Sequence, residues 1–407
     1  MPKRILVVSQ HFWPESFRIN DICESFVERG YAVEVLCGIP NYPIGQYFEG
    51  YGITKNRRQT VNGIKIRRCF EFKRGSNTNL RIFLNYISFP ISSLFALPYL
   101  LQQKYDKIFM FQTSPVIMSF VGILLGKLKK IETTMYVLDL WPENLYSVLN
   151  LKNKLLRKLI SGISIWHYRN ADKLIANSQG LQSILQERIG KSNVVYIPQF
   201  CEKLYETKIR DKALRDRYAN TFNLVFTGNI SPAQSFETVI GAAKILMERG
   251  FDDILWIIVG DGMSRAWLED AISQEGLGDQ FVFVGQIPME EVPRYTGIAD
   301  ALFACLSKSE LLDAALPGKI ISYYAAGCPL VVAMDGEVKE IVESSKAGFA
   351  VGAEEVDGFA DAIVALYSMG IEARQAMGDY AKAYYQQYFE REMNMDKLEA
   401  VLFGGNA

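Results

Sequence analysis

Residues 312–332 read LDAALPGKIISYYAAGCPLVV, and the reading of this stretch decides the fold. Pro317 has the fixed φ of a first helical turn, and Lys319, Ile320, Tyr323, Tyr324 and Ala326 follow at helical spacing. The pattern predicts a helix that starts near Pro317 and stops at Gly327, which can adopt the left-handed conformation, with Pro329 blocking continuation. The apolar run from Leu330 to Ala333 then reads as a strand buried on both faces, as in a parallel sheet. A helix start offers free backbone N–H groups and the positive end of the helix dipole, and Lys319 adds a full charge there. A phosphate seat is expected.

The same alternation runs outward through the chain. Strands are expected at Ile5 to Ser9, Ala32 to Cys37, Lys107 to Gln112, Thr133 to Leu138, Lys173 to Ala176 and Val194 to Ile197, with a helix from Ile19 to Arg29 ended by Gly30. In the second half, strands at Leu224 to Thr227, Ile254 to Val259, Phe281 to Val284 and Ala301 to Cys305 alternate with helices at Gln234 to Arg249 and Arg265 to Gln274. That rhythm is βαβ, which builds parallel sheets covered by helices. The 407 residues exceed what one hydrophobic core organises, so two doubly wound α/β domains are expected, at 1–200 and from 201 onward. The charged segment 201–219 reads as a linker. Ligands of such sheets bind at the carboxyl ends of the strands, so function is expected in a cleft between the domains.

Composition narrows the classes. With 49% hydrophobic and 22% charged residues and a net charge of -1, the chain reads as a globular enzyme, not a disordered segment or a nucleic-acid binder. Any anion site must be local. Six cysteines without a C-x-x-C pair read as reduced core residues of a cytoplasmic protein. The apolar run Ile5 to Val8 is too short for a secretory signal, and the stretch Ile82 to Leu101 is broken by polar residues and prolines, so no membrane span is expected. No Asp-x-Asp and no histidine cluster has ligand spacing, so neither a metal nor another cofactor is expected.

The loops at strand ends carry the motifs. In order they are FTGN at 226–229, VGDG at 259–262, FVGQIP at 283–288, and PGK at 317–319 followed by helix and AAGCP. On the amino-terminal side stand SQHFWPE at 9–15, PNYP at 40–43, TSP at 113–115 and DLWPE at 139–143. This ordered set resembles the retaining glycosyltransferases of the GT-B fold, the large family that uses sugar nucleotides. Within it the chain is most similar to the branch of O-antigen, capsule and colanic-acid-type polysaccharide biosynthesis. The resemblance implies two Rossmann-like domains facing each other across a cleft, with 1–200 binding the acceptor and 201–384 the donor. It also implies a C-terminal helix, from about 385 to 407, packing back on the first domain. The implied reaction moves a sugar from a UDP-linked donor to a lipid-linked saccharide.

Carried over residue by residue, the resemblance implies a donor site at Gly228, Asn229, Gln234, Gln286, Ile287, Gly318, Lys319, Ser322 and Glu337. The family commonly has arginine and lysine where this chain has Asn229 and Gln234, and a Glu-x7-Glu pair where it has Ala314 and Ser322. Two cations and two carboxylates are gone, which shifts the diphosphate onto Lys319, the backbone N–H groups near Gly228 and Gly318, and the helix dipole. Catalytic roles are expected for Lys319, Asp139 and His11, and acceptor contacts for Asp139 and Glu143. Of the two histidines, His11 follows the first strand and His167 lies in an aromatic, basic helix; the relatives' working histidine falls where this chain has Leu138, beside Asp139.

Lys152, Lys154, Arg157 and Lys158 interleave with Leu151, Leu155, Leu156 and Leu159, which suits either an anionic membrane surface or an ordinary amphipathic helix. A polyprenyl diphosphate acceptor, typical of this branch, would fit peripheral attachment to the inner face of the plasma membrane. Two other readings stay open: an enzyme of this architecture that epimerises or hydrolyses the sugar nucleotide, and a non-catalytic scaffold that only binds it.

Overall fold

Each half of the chain folds around its own sheet, whose central strands are apolar at nearly every position and must be covered on both faces. The structure, a computed structural model, describes residues 2–75, 78–143, 145–146, 153–190, 193–207, 209 and 211–404. It divides into one unit of Met1–Ile197 with Met395–Ala407, and a second of Pro198–Asn394.

In the first unit the strands are β1 (Arg4–Val8), β2 (Ala32–Cys37), β3 (Arg58–Val61), β4 (Ile64–Arg68), β5 (Lys107–Gln112), β6 (Thr133–Val137), β7 (Lys173–Ala176) and β8 (Val194–Tyr196). They form one sheet in the order β3-β4-β2-β1-β5-β6-β7-β8. All neighbours are parallel except the β3–β4 pair. That edge hairpin is absent from the sequence reading, although its turn, Asn62-Gly63 with φ of 48° and 79°, is a strong local hairpin signal. The strand order reverses between β1 and β5, which opens a crevice at their carboxyl ends.

The second unit repeats the plan with β9 (Phe222–Thr227), β10 (Ile254–Val259), β11 (Phe281–Gly285), β12 (Ala301–Cys305), β13 (Leu330–Ala333) and β14 (Gly348–Val351). Their order is β11-β10-β9-β12-β13-β14, so the switch falls between β9 and β12. The pleat sorts the strands into two cores. Leu224, Phe226, Trp256, Ile258 and Phe303 face one layer of helices, while Val225, Ile257, Leu302 and Val332 face the layer that contains Ile320 and Tyr323. The deciding stretch folds as expected: a helix Gly318–Ala326 preceded by Pro317, closed by Gly327 at φ 63°, then β13.

Segment 201–219 is not a bare linker. Cys201 and Tyr218 are buried in the second unit's core, and Asp211 caps the helix Lys212–Arg217 by accepting from the Leu214 N–H at 2.9 Å. Residues 385–394 also stay with the second unit, since Tyr385 and Phe389 sit in the same core. Only from Met395 does the chain rejoin the first unit, where Lys173 Nζ donates to Val401 O at 2.6 Å and Phe403 stacks on Tyr31. All six cysteines are buried and none forms a disulfide. Among the described residues no helix is long and apolar enough to cross a membrane.

Trp256 is 1% exposed, stacked on Phe281 at 5.7 Å and edge-on to Phe303 at 5.0 Å. Trp256→Ala is expected to cost about 3–5 kcal/mol in denaturant unfolding. Trp267→Ala, at a residue 44% exposed, is expected to change stability by only about 0.5 kcal/mol.

Candidate functional site

At the switch point of the second unit, the loop after β9 meets the start of the helix Gly318–Ala326. The Thr227 N–H donates to the Tyr323 hydroxyl at 2.8 Å, so a buried tyrosine one turn into the helix fixes the end of β9. Ser307 ties the end of β12 to the same loop, its N–H donating to Ala233 O at 3.0 Å and its hydroxyl to Pro232 O at 2.9 Å. Lys319 projects into this junction. Its Nζ donates to Gln234 Oε1 and lies 3.9 Å from the centroid of the Phe226 ring, and a Cβ on Gly228 would sit 3.4 Å from it.

Three sequence motifs are brought side by side by hydrogen bonds along the strand ends. The Gly228 N–H donates to Val259 O, the Gly260 N–H to Gly285 O and the Ile230 N–H to Asp261 O, each at 2.9 Å. Gly260, at φ 149°, lies so close to Gly228 O that a Cβ would come within 1.9 Å of it. The Gly228 N–H itself is engaged by the end of β10. Gln234 acts as the acceptor that orients the Lys319 ammonium.

The electrostatics of Lys319 set it apart. Among the described residues no carboxylate pairs with it, and burial pushes its pKa down to about 7. The nearby Cys305 thiol, pushed up to about 12 by its own burial, is neutral and supplies no counter-charge. An ammonium held over an aromatic face without an anion is a site that gains from receiving one.

The other expected donor residues lie around this centre. Gln286 is exposed and Ile287 packs against the core. Ser322 is buried, its hydroxyl donating to Gly318 O at 3.3 Å. Glu337 opens the helix Glu337–Ser345, half-buried. Asn229 Oδ1 points at Gly262, where a Cβ would lie 2.5 Å away.

In the first unit a second cluster forms at its own switch point. His11 Nδ1 is 2.9 Å from Glu15 Oε2, and Glu15 Oε1 accepts from the Asn41 and Tyr42 N–H groups at 2.7 Å each. Burial disfavours the imidazolium, yet the charge and hydrogen bond of Glu15, with Glu71 behind it, hold the His11 pKa above its ordinary value. Glu71 accepts from Gln10, Asn41 and Asn85, and burial pushes it up to about 7. Asp139 accepts from the Ser114 hydroxyl at 2.8 Å, which in turn accepts from Trp141 Nε1 at 2.9 Å. Burial raises the Asp139 carboxyl above the usual range, against Ser114 and the charges of His11 and Arg74. Four X-Pro bonds in the motif loops are cis: Trp13-Pro14, Tyr42-Pro43, Ser114-Pro115 and Trp141-Pro142.

His11 and Asp139 thus belong to one electrostatic cluster. Glu143 has both carboxylate oxygens engaged by Arg188, at 2.7 and 2.8 Å, which clamps the 139–143 loop onto the helix Gln179–Ile189. Glu15 and Asn41 lie inside motifs that the sequence marks, but their role as the bracket around His11 does not show there. Glu71, Arg74 and Asn85 lie in the connection after β4, which no local pattern singles out. His167 Nδ1 donates to Ile163 O at 2.8 Å within its own helix, away from this cluster. Among the described residues no group of three or more His, Cys, Asp or Glu is placed to hold a metal ion.

Residues 208–384 match the family model described as Glycosyl transferases group 1. Similar proteins include the 2-deoxystreptamine glucosyltransferase of Streptomyces kanamyceticus, 24% identical over 224 residues that cover 49% of this chain and 57% of that one. Another is the GDP-mannose-dependent alpha-(1-6)-phosphatidylinositol monomannoside mannosyltransferase of Mycobacterium tuberculosis, 25% identical over 198 residues, 48% of this chain and 51% of that one. The chain spans about half the length of these curated relatives. Over nearly its whole length it is similar in structure to Anabaena Alr3699/HepE in complex with UDP, with a TM-score of 0.72, 17% identity, and coverage of 98% of this chain and 99% of that one. The fold is GT-B, with two Rossmann-like units, as the sequence leads one to expect.

Because burial pushes the free Lys319 down to about 7, an anion seated beside it would raise its pKa and draw a proton to it. Below that pH the ammonium is already present. Above it, binding must take up a proton, so UDP affinity is expected to fall with rising pH by up to about tenfold per unit. Calorimetry between pH 7 and 9 in buffers of different ionisation enthalpy reads the uptake directly, and Lys319→Met should abolish it.

Proposed function

We infer that this chain, whose residues 208–384 form a glycosyl transferases group 1 domain, is a glycosyltransferase that takes a sugar from a UDP-linked donor and passes it to a lipid-linked saccharide. The observation that carries the reading is the Lys319 ammonium, held at the β9–β12 switch point by Gln234 and Phe226 with no carboxylate partner among the described residues. In such a transfer the bond between the anomeric carbon and the diphosphate oxygen breaks as the acceptor oxygen bonds to that carbon. Negative charge grows on the departing diphosphate, and a preorganised ammonium stabilises it more in the transition state than in the ground state. Lys319 with Gln234 does the work that the family divides among more cations.

Retention of the anomeric configuration is part of the proposal. The acceptor hydroxyl approaches on the face the diphosphate leaves, and its proton passes to the departing phosphate oxygen, so no protein nucleophile is needed. UDP as the nucleotide is supported by the complex of the Anabaena protein, and a lipid-linked acceptor by the phosphatidylinositol monomannoside named for the mycobacterial relative. We place the reaction in the building of bacterial surface polysaccharides.

Peripheral membrane contact is supported by the helix Lys154–Asn170, where Leu155 and Leu159 are 79% and 61% exposed beside Lys154, Arg157 and Lys158. Leu151 and Lys152, expected in the same stripe, lie outside the described residues. Apolar side chains with adjacent cations adsorb to anionic bilayers through both terms.

Lys319→Ala is expected to lower turnover of the sugar nucleotide by about 100- to 1000-fold. A loss under threefold would remove Lys319 from its role. Proton NMR of the product should show the donor's anomeric configuration, and an inverted product would end the retaining mechanism. Release of UDP from donor alone, as fast as with acceptor, would favour hydrolysis or epimerisation. A GDP-sugar turned over in preference to UDP-sugars would overturn the nucleotide. On vesicles containing anionic lipid, the double variant Leu155→Glu/Leu159→Glu should cosediment at least fivefold less than the parent, and equal cosedimentation would refute the membrane contact.

A further inference from the structure

Arg74 in the first unit is a cation for which neither the fold nor the catalytic reading has a use. Its guanidinium lies 5.0 Å from the centroid of the Tyr42 ring and 5.5 Å from that of Tyr86. Its Nε donates to Asn85 Oδ1 at 3.2 Å. Asn85 is wholly buried, and its Nδ2 donates to Glu71 Oε1 and Phe72 O at 2.7 Å each, so the side of the amide turned to Arg74 is fixed as the acceptor. Two ring faces and one hydrogen bond thus orient the guanidinium. Among the described residues no carboxylate pairs with it and neither Nη atom makes a hydrogen bond, whereas Arg188 and Arg29 of the same unit are paired at 2.6 to 2.8 Å. The two free Nη groups form the planar fork that suits phosphate oxygens.

Its position ties it to the acceptor chemistry. The Tyr42 ring under Arg74 is 5.5 Å from the His11 ring, and the Tyr86 ring is 5.8 Å from Trp141, which donates to the Ser114 hydroxyl that in turn donates to Asp139. Arg74 therefore sits between the two loops that carry His11 and Asp139, at the crevice where β1 and β5 part.

We propose that Arg74, on the platform of Tyr42, Tyr86 and Asn85, is an anion seat that holds a phosphate of the acceptor. The inference rests on the acceptor reading given above and narrows it. With only the Tyr42 ring between Arg74 and His11, the seated phosphate and the hydroxyl that receives the sugar belong to the same or to adjacent sugar units.

The test uses the full-length protein saturated with UDP, so that the Lys319 seat is filled, titrated calorimetrically with inorganic pyrophosphate and, separately, with farnesyl diphosphate. Both should bind the parent, Arg74→Gln should weaken both at least tenfold, and Arg74→Lys should retain part of the affinity. UDP affinity should be unchanged in both variants. With a lipid-diphosphate acceptor, Arg74→Gln should raise the acceptor KM at least tenfold and leave the donor KM alone. Failure of the parent to bind either diphosphate, or equal binding by Arg74→Gln, overturns the seat. Tighter binding of glucuronate than of pyrophosphate at this position overturns the choice of phosphate. If UDP itself does not bind, the functional reading fails first; if UDP binds and Arg74→Gln has no effect, only this inference falls. Stronger binding of farnesyl diphosphate than of pyrophosphate supports a lipid source for the phosphate, and equal binding supports recognition of the diphosphate alone.

Discussion

A desolvated ammonium without an anion is the constraint on which the second unit's site depends. Removing a lysine from water costs free energy unless a partner restores what the solvent supplied. Around Lys319 the partial compensation comes from an aromatic face and a single amide oxygen, and among the described residues none comes from a carboxylate. The arrangement is held by buried structure: Tyr323 fixes the end of β9, Ser307 fixes the loop that carries Gln234, and Phe226 belongs to the core. In the proposed reaction a diphosphate would meet a group that is already oriented, so little reorganisation would accompany the growth of charge.

The first unit solves a different problem with similar means. Its switch-point loops bury His11, Glu15 and Glu71 with Asp139 half-buried beside them, and the charges of this cluster alter one another's proton affinity. Such networks are stable only when most lone pairs and protons are satisfied. Asn41, Asn85 and Gln10 provide that satisfaction, and the backbone N–H groups of Asn41 and Tyr42 hold Glu15 in place. The buried Oε2 of Glu71 is left without a hydrogen bond, which agrees with a carboxyl whose pKa burial has pushed up to about 7.

The helix Gly318–Ala326 and β13 were legible in the sequence because their determinants are local: Pro317, the helical spacing of apolar residues, Gly327 and Pro329. The β3–β4 hairpin was equally local, yet its strands are short, charged and at a sheet edge, so hydrophobic runs do not reveal it; Asn62-Gly63 does. Segment 201–219 misleads for the opposite reason. Its charges lie on the surface while Cys201 and Tyr218 enter the core, and a composition average hides two buried residues among many exposed ones.

By itself, the sequence determined the α/β class, the two-sheet plan and the helix start that carries Lys319. These follow from chain-local rules, since a strand covered on both faces is apolar throughout and a helix start is marked by its own residues. Tertiary structure decided which charges are compensated. Glu143 meets Arg188, the Gly228 N–H meets Val259 O, Gln234 receives Lys319, and Arg74 is left with two rings and an amide. Each of these pairings joins residues distant in the chain, and a side chain's electrostatic environment depends on separation in space, which no local pattern encodes.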